Sequence, residues 1–498
     1  MWYSLSVWLG SIELALLLGR KVHRHQWDID GYDAREFRAP LVSSGTDGHS
    51  RPTDPGHFAG NDGTTLTLTH IVAVMGSVIH LSRAPVGRTT KAGQSGRLRG
   101  GGTALVLGGG GITGAAYHLG VLNAMNAMSV QATVNDFDLY VGTSGGAFIA
   151  SCLANGITPE DLILANIGHP SAKFPGMGAD EIMQPDRRGL LRSMVRWPLG
   201  VMGALRRYAG HPFTTRLIDG LGALAEGLPP ALYTTDGTER YLRRLFEAPG
   251  RANEFGTTSR KLLITATELD TARRVVFGEE GAPRATVAEA AAASMAIPLL
   301  YAPRQVGDHD YMDGGLRSTT NIEVAIAHGA KLVVCINPLV PYVHDVRHLL
   351  PTATGLPARY LSQKGFPHIA AQAYRIMAQS QVEKELEIVT HSYPDVDIVL
   401  VEPRRDDEHL FVFNLMDYGS RERIARHAFE SVAIDLVTRF PEYEKVLGRH
   451  RIKIDRDALV EQLRSIVEGW EPRFLGGAQE REENPSELAE GAESAPSS

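Results

Sequence analysis

Three short segments of the chain contain residues whose types and spacing suit nucleophilic catalysis. Glycines fill most of residues 108–114, Ser144 stands in the run Gly142-Thr143-Ser144-Gly145-Gly146, and Asp313 begins an Asp-Gly-Gly. Backbone N–H groups in a glycine turn can stabilise an oxyanion, a serine hydroxyl can attack a carbonyl, and a carboxylate can accept the serine proton. Together the three segments predict an acyl hydrolase.

The serine segment has the pattern of a strand–turn–helix junction. Apolar residues 139–141 precede it, and residues 147–150 restart apolar character at helical spacing. Gly142 and Gly146 permit a tight reversal, which would hold the Ser144 hydroxyl at a helix N-terminus, where negative charge is favoured. A glycine-rich turn with a serine N-cap has the same local pattern, so this segment alone leaves both interpretations open.

The glycine run also fits the dinucleotide-binding fingerprint. Gly109, Gly111 and Gly114 follow an apolar run and open a helical pattern, and Asp136 lies near the spacing of a ribose-binding acid. In a dinucleotide fold that acid closes the second strand, whereas Asp136 precedes the apolar residues 139–141. We therefore favour the oxyanion interpretation, and a dinucleotide-binding oxidoreductase stays as a remote alternative.

The Asp-Gly-Gly lies within an alternation of helical and strand patterns. An alanine-rich helical stretch covers residues 288–296, a helix is predicted for 321–328, and residues 331–336 are strongly β-type. Asp-Gly-Gly is a common turn by itself. Between a helix and a further strand–helix unit, however, such a turn is a place where an α/β enzyme exposes side chains.

In these motifs the chain resembles the patatin-like phospholipases, which are serine lipid acyl hydrolases with a Ser-Asp dyad. The resemblance extends roughly from Thr103 to Asn337. The matching motifs are, in chain order, residues 109–114 with 118–122, 142–146, 265–270, 293–298 and 313–315.

The resemblance implies a three-layer α/β/α fold with a mainly parallel central sheet and a helical cap insertion. It makes Ser144 the nucleophile and Asp313 its general base. The oxyanion hole and the remaining motif positions would be Gly109, Gly110 and Gly111, with Gly114, Gly142, Gly146, Gly314 and Gly315. The chain departs from the family at Thr113, where members often carry Lys or Arg, so the field near the oxyanion is expected to differ.

Other functions remain open at this stage. The same dyad suits a lipid acyltransferase or a thioesterase, and a catalytically weak lipid-binding protein would keep the same fold. A Ser-acid-His triad is a further alternative. Its histidine would come from the candidates that follow Asp313, namely His328, His391, His409 and His427.

The composition limits the kinds of binding partner and cofactor that we expect. The 498 residues are 43% hydrophobic and 21% charged, which is typical of a globular protein. The net charge of −7 resides mostly in the tail from Gln479, which has six glutamates and one arginine, so general nucleic-acid binding is not expected. Cys152 and Cys335 give no disulfide framework and no metal spacing. No cofactor or metal is predicted; the oligomeric state stays open.

The chain divides by composition into a catalytic core and two flanking regions. We expect a weakly packed N-terminal region at 1–100, a catalytic domain at 101–470 with a cap insertion at about 167–253, and a disordered acidic tail at 476–498. The apolar residues 1–18 suit a surface-lying or packed helix better than a membrane span, although they are an expected anchor if the protein contacts a membrane. The expected location is cytoplasmic, with peripheral membrane association.

Within the insertion, one segment is both apolar and basic. Residues 187–218 contain seven arginines and no acid, interleaved with leucine, methionine, valine and tryptophan. Such a mixture suits contact with an anionic lipid surface, but a helical cap with a solvated arginine face has the same composition.

Overall fold

Five parallel strands form the centre of the sheet in the computed structural model. The model describes residues 102–130, 132–210, 229–345, 349–350, 357–411 and 415–461, together with the backbone of 78–82. The parallel strands are β2 Thr103–Leu107, β3 Leu139–Thr143, β4 Lys261–Glu268, β8 Leu332–Ile336 and β9 Asp397–Glu402. They occur in the sheet in the order β9, β8, β2, β3 and β4. Their side chains are nearly all buried, which explains continuous apolar runs in place of alternation.

Antiparallel strands extend the sheet on both sides. Strand β1, Val78–Ser82, pairs with β9, while β5, Arg274–Phe277, and β7, His309–Asp313, both pair with β4. Strand β6, Arg304–Val306, then pairs with β7. Strand β1 lies within the region 1–100, where we expect weak packing, and its five residues pair with β9 through the backbone.

Helices cover the sheet and fill the connections. Their bounds are α1 Gly111–Met128, α2 Gly145–Ala154, α3 Pro159–Asn166, α4 Ala179–Ile182, α5 Arg187–Gly210, α6 Asp236–Phe246, α7 Val287–Ser294, α8 Ile322–Ala327, α9 Phe366–Ser392, α10 Glu408–Phe411, α11 Arg421–Thr438 and α12 Phe440–Arg449. Short 3₁₀ turns occupy Gly314–Leu316 and Leu361–Lys364.

The two faces of the sheet pack against different helices. On one face, Val106 and Val141 share a core with Ile322 of α8 and Val382 of α9. On the other face α2 packs against β2, β3 and β4, and α1 packs against α11. Helices α1 and α11 approach so closely that a Cβ on Gly120 would lie 2.2 Å from the carbonyl oxygen of Ala425. The predicted mainly parallel α/β architecture flanked by helices is confirmed.

Most elements expected from the sequence are present with small shifts at their ends. The helical patterns at 288–296 and 321–328 correspond to α7 and α8, and the β-type run at 331–336 corresponds to β8. The insertion at 167–253 contains α4, α5 and α6. No helix among the described residues is long and apolar enough to cross a membrane. The apolar residues 1–18 and the acidic tail lie outside the described residues, and the proposed domain boundaries stay predictions.

Candidate active site

Ser144 lies on a strained turn between β3 and α2. Its backbone angles are φ 55° and ψ −127°, it is the N-cap residue of α2, and its residue surface is 4% exposed. A positive φ is uncommon for a residue with a side chain and is typical of a nucleophile elbow. A Cβ on Gly146 would lie 2.1 Å from the carbonyl oxygen of Leu107, and one on Gly142 would lie 2.5 Å from the Ala147 Cα. Both glycines are therefore required by close backbone approach.

The backbone N–H of Ser144 is held by another serine. It donates to the Oγ of Ser294, at the end of α7, over 2.8 Å, and Ser294 is fully buried. This bond fixes the orientation of the elbow. Ser294 belongs to one of the motifs noted above, but sequence reasoning assigned it no role; its only signal was a hydroxyl at the end of an alanine-rich helix.

The glycine turn after β2 leaves two of its N–H groups available. Gly108 donates to the Ile336 carbonyl at 2.9 Å and Gly109 donates to the Thr319 carbonyl at 3.1 Å. The N–H groups of Gly110 and Gly111 find no acceptor within the described part of the chain. Gly109 is close to Ser144, since a Cβ on Gly109 would lie 3.5 Å from the Ser144 Cβ. The Gly109 N–H already donates to the Thr319 carbonyl, so the geometry does not support the prediction that Gly109 donates to an oxyanion.

A buried histidine fixes the start of this turn. His118 of α1 is fully buried, and its Nε2 lies 2.8 Å from the Gly108 carbonyl oxygen, which assigns the N–H to Nε2. Burial lowers the pKa of His118 to about 4, although the Gly108 carbonyl opposes the change. The ring is therefore neutral near pH 7, and its role is to hold the Gly108 peptide.

The N-terminus of α1 is capped from a distant segment. The Leu415 carbonyl accepts the N–H groups of Ile112 and Thr113 at 3.0 and 3.2 Å. The Thr113 hydroxyl points to the same carbonyl at 3.4 Å. A Cβ on Gly110 would lie 2.6 Å from Pro338 Cγ, and one on Gly114 would lie 3.0 Å from the same atom. The turn is thus enclosed by residues that come much later in the chain.

Asp313 ends β7 beside the elbow. It pairs with Ala266 of β4, whose neighbour Thr265 pairs with Thr143, the residue before Ser144. The Asp313 residue is 1% exposed, and its Oδ1 accepts the Gly315 N–H at 2.7 Å. A Cβ on Gly314 would lie 2.4 Å from the Thr265 carbonyl oxygen, which explains the first glycine of the motif.

The second carboxylate oxygen of Asp313 is unsatisfied. Oδ2 is buried and receives no hydrogen bond of normal geometry from the described residues. Burial raises the pKa of Asp313 to about 6, while the nearby Ser144 hydroxyl and the Gly315 N–H limit the rise. A loose contact between a nucleophile and its base is common before substrate binds. The arrangement can therefore move a proton from Ser144 to Asp313.

A polar network joins the segment of Ser144 to the segment that follows Asp313. The Asn321 Nδ2 lies 3.0 Å from Thr143 Oγ1, 3.2 Å from Thr265 Oγ1 and 2.7 Å from the Ser318 carbonyl oxygen, so its two N–H groups are shared among three acceptors. Asn321 is fully buried and adopts φ 57°. Sequence reasoning placed Asn321 only at the start of a helix; a buried amide between threonines could be found only once the strands were aligned.

Helix α9 supports the loop that follows Asp313. Glu385 accepts hydrogen bonds from the hydroxyls of Ser318 and Thr320 at 3.0 and 2.6 Å. The Tyr374 hydroxyl would lie 2.8 Å from a Cβ on Gly315, so it is near the dyad. Burial raises the pKa of Tyr374, and the nearby negative charge of Asp313 raises it further. The sequence did not predict either contribution.

The alternatives to a Ser-Asp dyad gain no geometric support. Asp136 precedes β3 and so lies at the N-terminal ends of the parallel strands, whereas the glycine turn lies at their C-terminal ends. Asp136 forms an ion pair with Arg260 at 2.9 Å. His328 contacts Glu279 at 3.4 Å, and His427 contacts Asp407 at 2.7 Å. His391 is exposed, and the side chain of His409 lies outside the described residues. Among the described residues no group of histidine, cysteine and acidic side chains is arranged to hold a metal ion.

Comparisons with known proteins agree with the motifs. Residues 105–326 match the family model described as patatin-like phospholipase. A curated relative, "Probable lipid hydrolase 463L" of Invertebrate iridescent virus 6, is 21% identical over 227 residues, which are 46% of this chain and 64% of the relative. The chain therefore spans just under two thirds of that relative's length.

Solved structures that align with the chain include two bacterial proteins. VipD from Legionella pneumophila aligns over 82% of this chain and 80% of its own, with 13% identity and a TM-score of 0.29. ExoU, in its complex with SpcU from Pseudomonas aeruginosa, aligns over 81% and 63%, with 16% identity and a TM-score of 0.21. These scores are too low to carry an argument, so the fold class rests on the sheet topology. Both Ser144 and Asp313 lie within residues 105–326, so the part of the chain that is similar to the patatin-like phospholipases contains both candidate catalytic residues.

Proposed function

We propose that the protein hydrolyses fatty-acyl ester bonds of phospholipids or related lipids, through an acyl-enzyme on Ser144 with Asp313 as general base. The observation that carries the proposal is the buried carboxylate beside the elbow, with Oδ2 unsatisfied and the pKa of Asp313 raised to about 6. A carboxylate with an ordinary pKa is a poor base for a serine hydroxyl. Raising the pKa towards the operating pH makes the same group more basic while leaving it ionised near pH 7.

The first half-reaction would begin with attack of Ser144 Oγ on the ester carbonyl. The serine proton passes to Asp313 Oδ2, and the carbonyl oxygen becomes an oxyanion. Gly110 and Gly111, whose N–H groups have no acceptor among the described residues, are the proposed donors to this oxyanion. Each such donor contributes roughly 3–4 kcal/mol of transition-state stabilisation.

Collapse of the tetrahedral intermediate breaks the ester C–O bond. The leaving alkoxide takes the proton from Asp313, so the products of this step are a free alcohol and an acyl group on Ser144. Water then attacks the acyl group while Asp313 accepts a proton from that water, and the fatty acid leaves as Asp313 returns this proton to Ser144 Oγ. The donors at Gly110 and Gly111 act in both half-reactions.

A lipid substrate places the enzyme at a membrane surface, so we include peripheral membrane association and a cytoplasmic location in the proposal. Lipid esters are concentrated in bilayers, and an enzyme with a buried nucleophile must receive them from that phase.

Labelling with a fluorophosphonate probe tests the dyad directly. We expect one adduct on Ser144 in the wild-type protein, none in Ser144→Ala, and slow labelling in Asp313→Ala. Ser151→Ala is a matched control, since Ser151 is buried in α2 and donates to the Ala147 carbonyl at 2.7 Å. Folded wild-type protein that fails to react would refute the nucleophile, and unchanged labelling of Asp313→Ala would refute the base.

A further inference from the structure

The largest group of exposed apolar side chains in the described residues lies on α5. The exposed fractions are 65% for Leu191, 74% for Met194, 64% for Val195, 49% for Trp197 and 63% for Leu199. Single exposed apolar residues are ordinary, but a contiguous group on one helix indicates an interaction surface.

The charges on α5 indicate which kind of partner this surface fits. Arg187, Arg188, Arg192, Arg196 and Arg206 are exposed, and none forms an ion pair with a described residue. The helix contains no Asp or Glu along its whole length. Exposed arginines beside exposed leucine, methionine and tryptophan complement an anionic bilayer, whose headgroups attract the cations while its acyl region accepts the apolar side chains.

Two loops add apolar side chains next to the start of α5. Leu232 is 62% exposed and its carbonyl accepts the N–H of Asp186, the residue before α5, at 3.1 Å. Tyr233 in turn donates to the Leu300 carbonyl at 3.0 Å. Leu299 is 88% exposed and has φ 67°, a conformation that is uncommon for a bulky residue. These bonds join the two loops to the beginning of α5; we call the exposed residues of α5 with Leu232 and Leu299 the α5 surface.

One end of the α5 surface, the loop that carries Leu299, is hydrogen-bonded to the segment of Asp313. Ala296, three residues before Leu299, accepts the backbone N–H of Asp313 at 2.9 Å. On the other side of Asp313, Leu316 is 39% exposed. The loop that presents Leu299 to solvent therefore also holds the segment that carries the general base.

We propose that the α5 surface docks on anionic lipid bilayers and so brings the ester bond of a membrane lipid to Ser144. The inference rests on the proposed lipid hydrolase function, and it names the surface and the charge of the lipid that the function alone does not specify. The arginines provide attraction to anionic headgroups, and the apolar side chains, Leu299 among them, enter the interface.

Fluorescence of Trp197 measures this docking without interference from other membrane contacts. The full-length protein would carry Phe in place of the other tryptophans, Trp2, Trp8, Trp27 and Trp470. We expect vesicles of phosphatidylserine with brominated phosphatidylcholine to quench Trp197, and vesicles of brominated phosphatidylcholine alone to quench it much less. Absence of quenching by the mixed vesicles would overturn the proposal. A change in Trp197 emission with protein concentration in the absence of lipid would instead identify a second copy of the chain as the occupant.

Charge reversal tests the arginines. We expect Arg192→Glu with Arg196→Glu and Arg206→Glu to lower the partition of the full chain onto phosphatidylserine vesicles by at least about a hundredfold, at roughly fivefold for each basic residue near the surface. The matched control reverses three exposed arginines elsewhere, namely Arg273, Arg284 and Arg456. An equal loss of vesicle partition in the control variant would show that net charge causes the effect, and it would overturn the proposal that the α5 surface is the docking site.

The same variants separate this inference from the proposed function. Fluorophosphonate labelling in solution does not require a bilayer, so we expect the α5 variant to label at the wild-type rate while losing hydrolysis of lipids in vesicles. If the α5 variant labels at the wild-type rate and binds vesicles as well as the wild type does, the proposed docking surface is overturned and the proposed dyad is unaffected. Failure of the wild-type protein to label would refute the dyad, whatever the vesicles report.

Discussion

Replacing Asp313 with asparagine is expected to abolish catalysis and to make the folded protein more stable at neutral pH. Burial raises the pKa of Asp313 from its ordinary value of 3.8 to about 6. The folded state therefore keeps this proton to a higher pH than the unfolded state does. The stability that protonated Asp313 contributes is complete below pH 3.8 and is lost as the pH rises through about 6.

The size of the effect follows from the same pKa shift. A shift of about 2 pH units corresponds to roughly 3 kcal/mol, which is the free energy that ionising Asp313 costs the folded state above about pH 6. Asparagine has no charge to bury, its amide oxygen can still accept the Gly315 N–H, and its amide N–H can donate to Ser144. The stability gain of Asp313→Asn over wild type should thus grow from near zero at about pH 4 to as much as about 3 kcal/mol at pH 7.

Urea unfolding at a series of pH values measures this difference. The control is Asp308→Asn, because Asp308 is exposed in the turn between β6 and β7. Fluorophosphonate labelling of the wild type over the same range should rise with pH and reach half its maximum near the raised pKa of Asp313, about 6. An Asp313→Asn protein that is no more stable than wild type at pH 7, or a gain that does not depend on pH, would refute the assignment of a buried ionised base.

Two further substitutions test the supports of the dyad. Gly146→Ala should prevent folding, because the new Cβ would lie 2.1 Å from the Leu107 carbonyl oxygen and 2.5 Å from that of Gly108. The control Gly448→Ala should be tolerated, since Gly448 lies in a helix with open space around it. Circular dichroism and soluble yield compare the two variants. Asn321→Gly keeps the left-handed backbone but removes the amide, so it should lower kcat by roughly tenfold or more through misplacement of the nucleophile, with little change in KM; an unchanged kcat would contradict the positioning role.

The features that sequence alone predicted are those encoded locally. Glycine spacing around Ser144 predicts a tight turn because only glycine tolerates the close backbone contacts found at Gly142 and Gly146. The β-type run at 331–336 corresponds to β8, and the helical patterns before and after Asp313 correspond to α7 and α8. In each case the residue types within a few positions determine the conformation.

The remaining features depend on residues far apart in the chain. Gly109 was expected to donate to the oxyanion, yet Thr319 takes its N–H, and no pattern near Gly109 indicates a partner 210 positions later. The same holds for Ser294 and for Asn321, which bond the elbow and the residue before it. Tertiary hydrogen bonds of this kind become visible only when the strand order is known.

The contacts around the dyad also bear on how much of the chain the active site needs. The family match ends at residue 326, but Ile336 of β8 accepts the Gly108 N–H, and Glu385 of α9 holds the loop after Asp313. Leu415 caps the helix that begins at the glycine turn. A chain ending at 326 would leave buried donors without acceptors, each at a cost of roughly 1–3 kcal/mol, in the turn that must keep Gly110 and Gly111 free. We therefore expect the structural unit needed for the proposed catalysis to extend at least to Leu415.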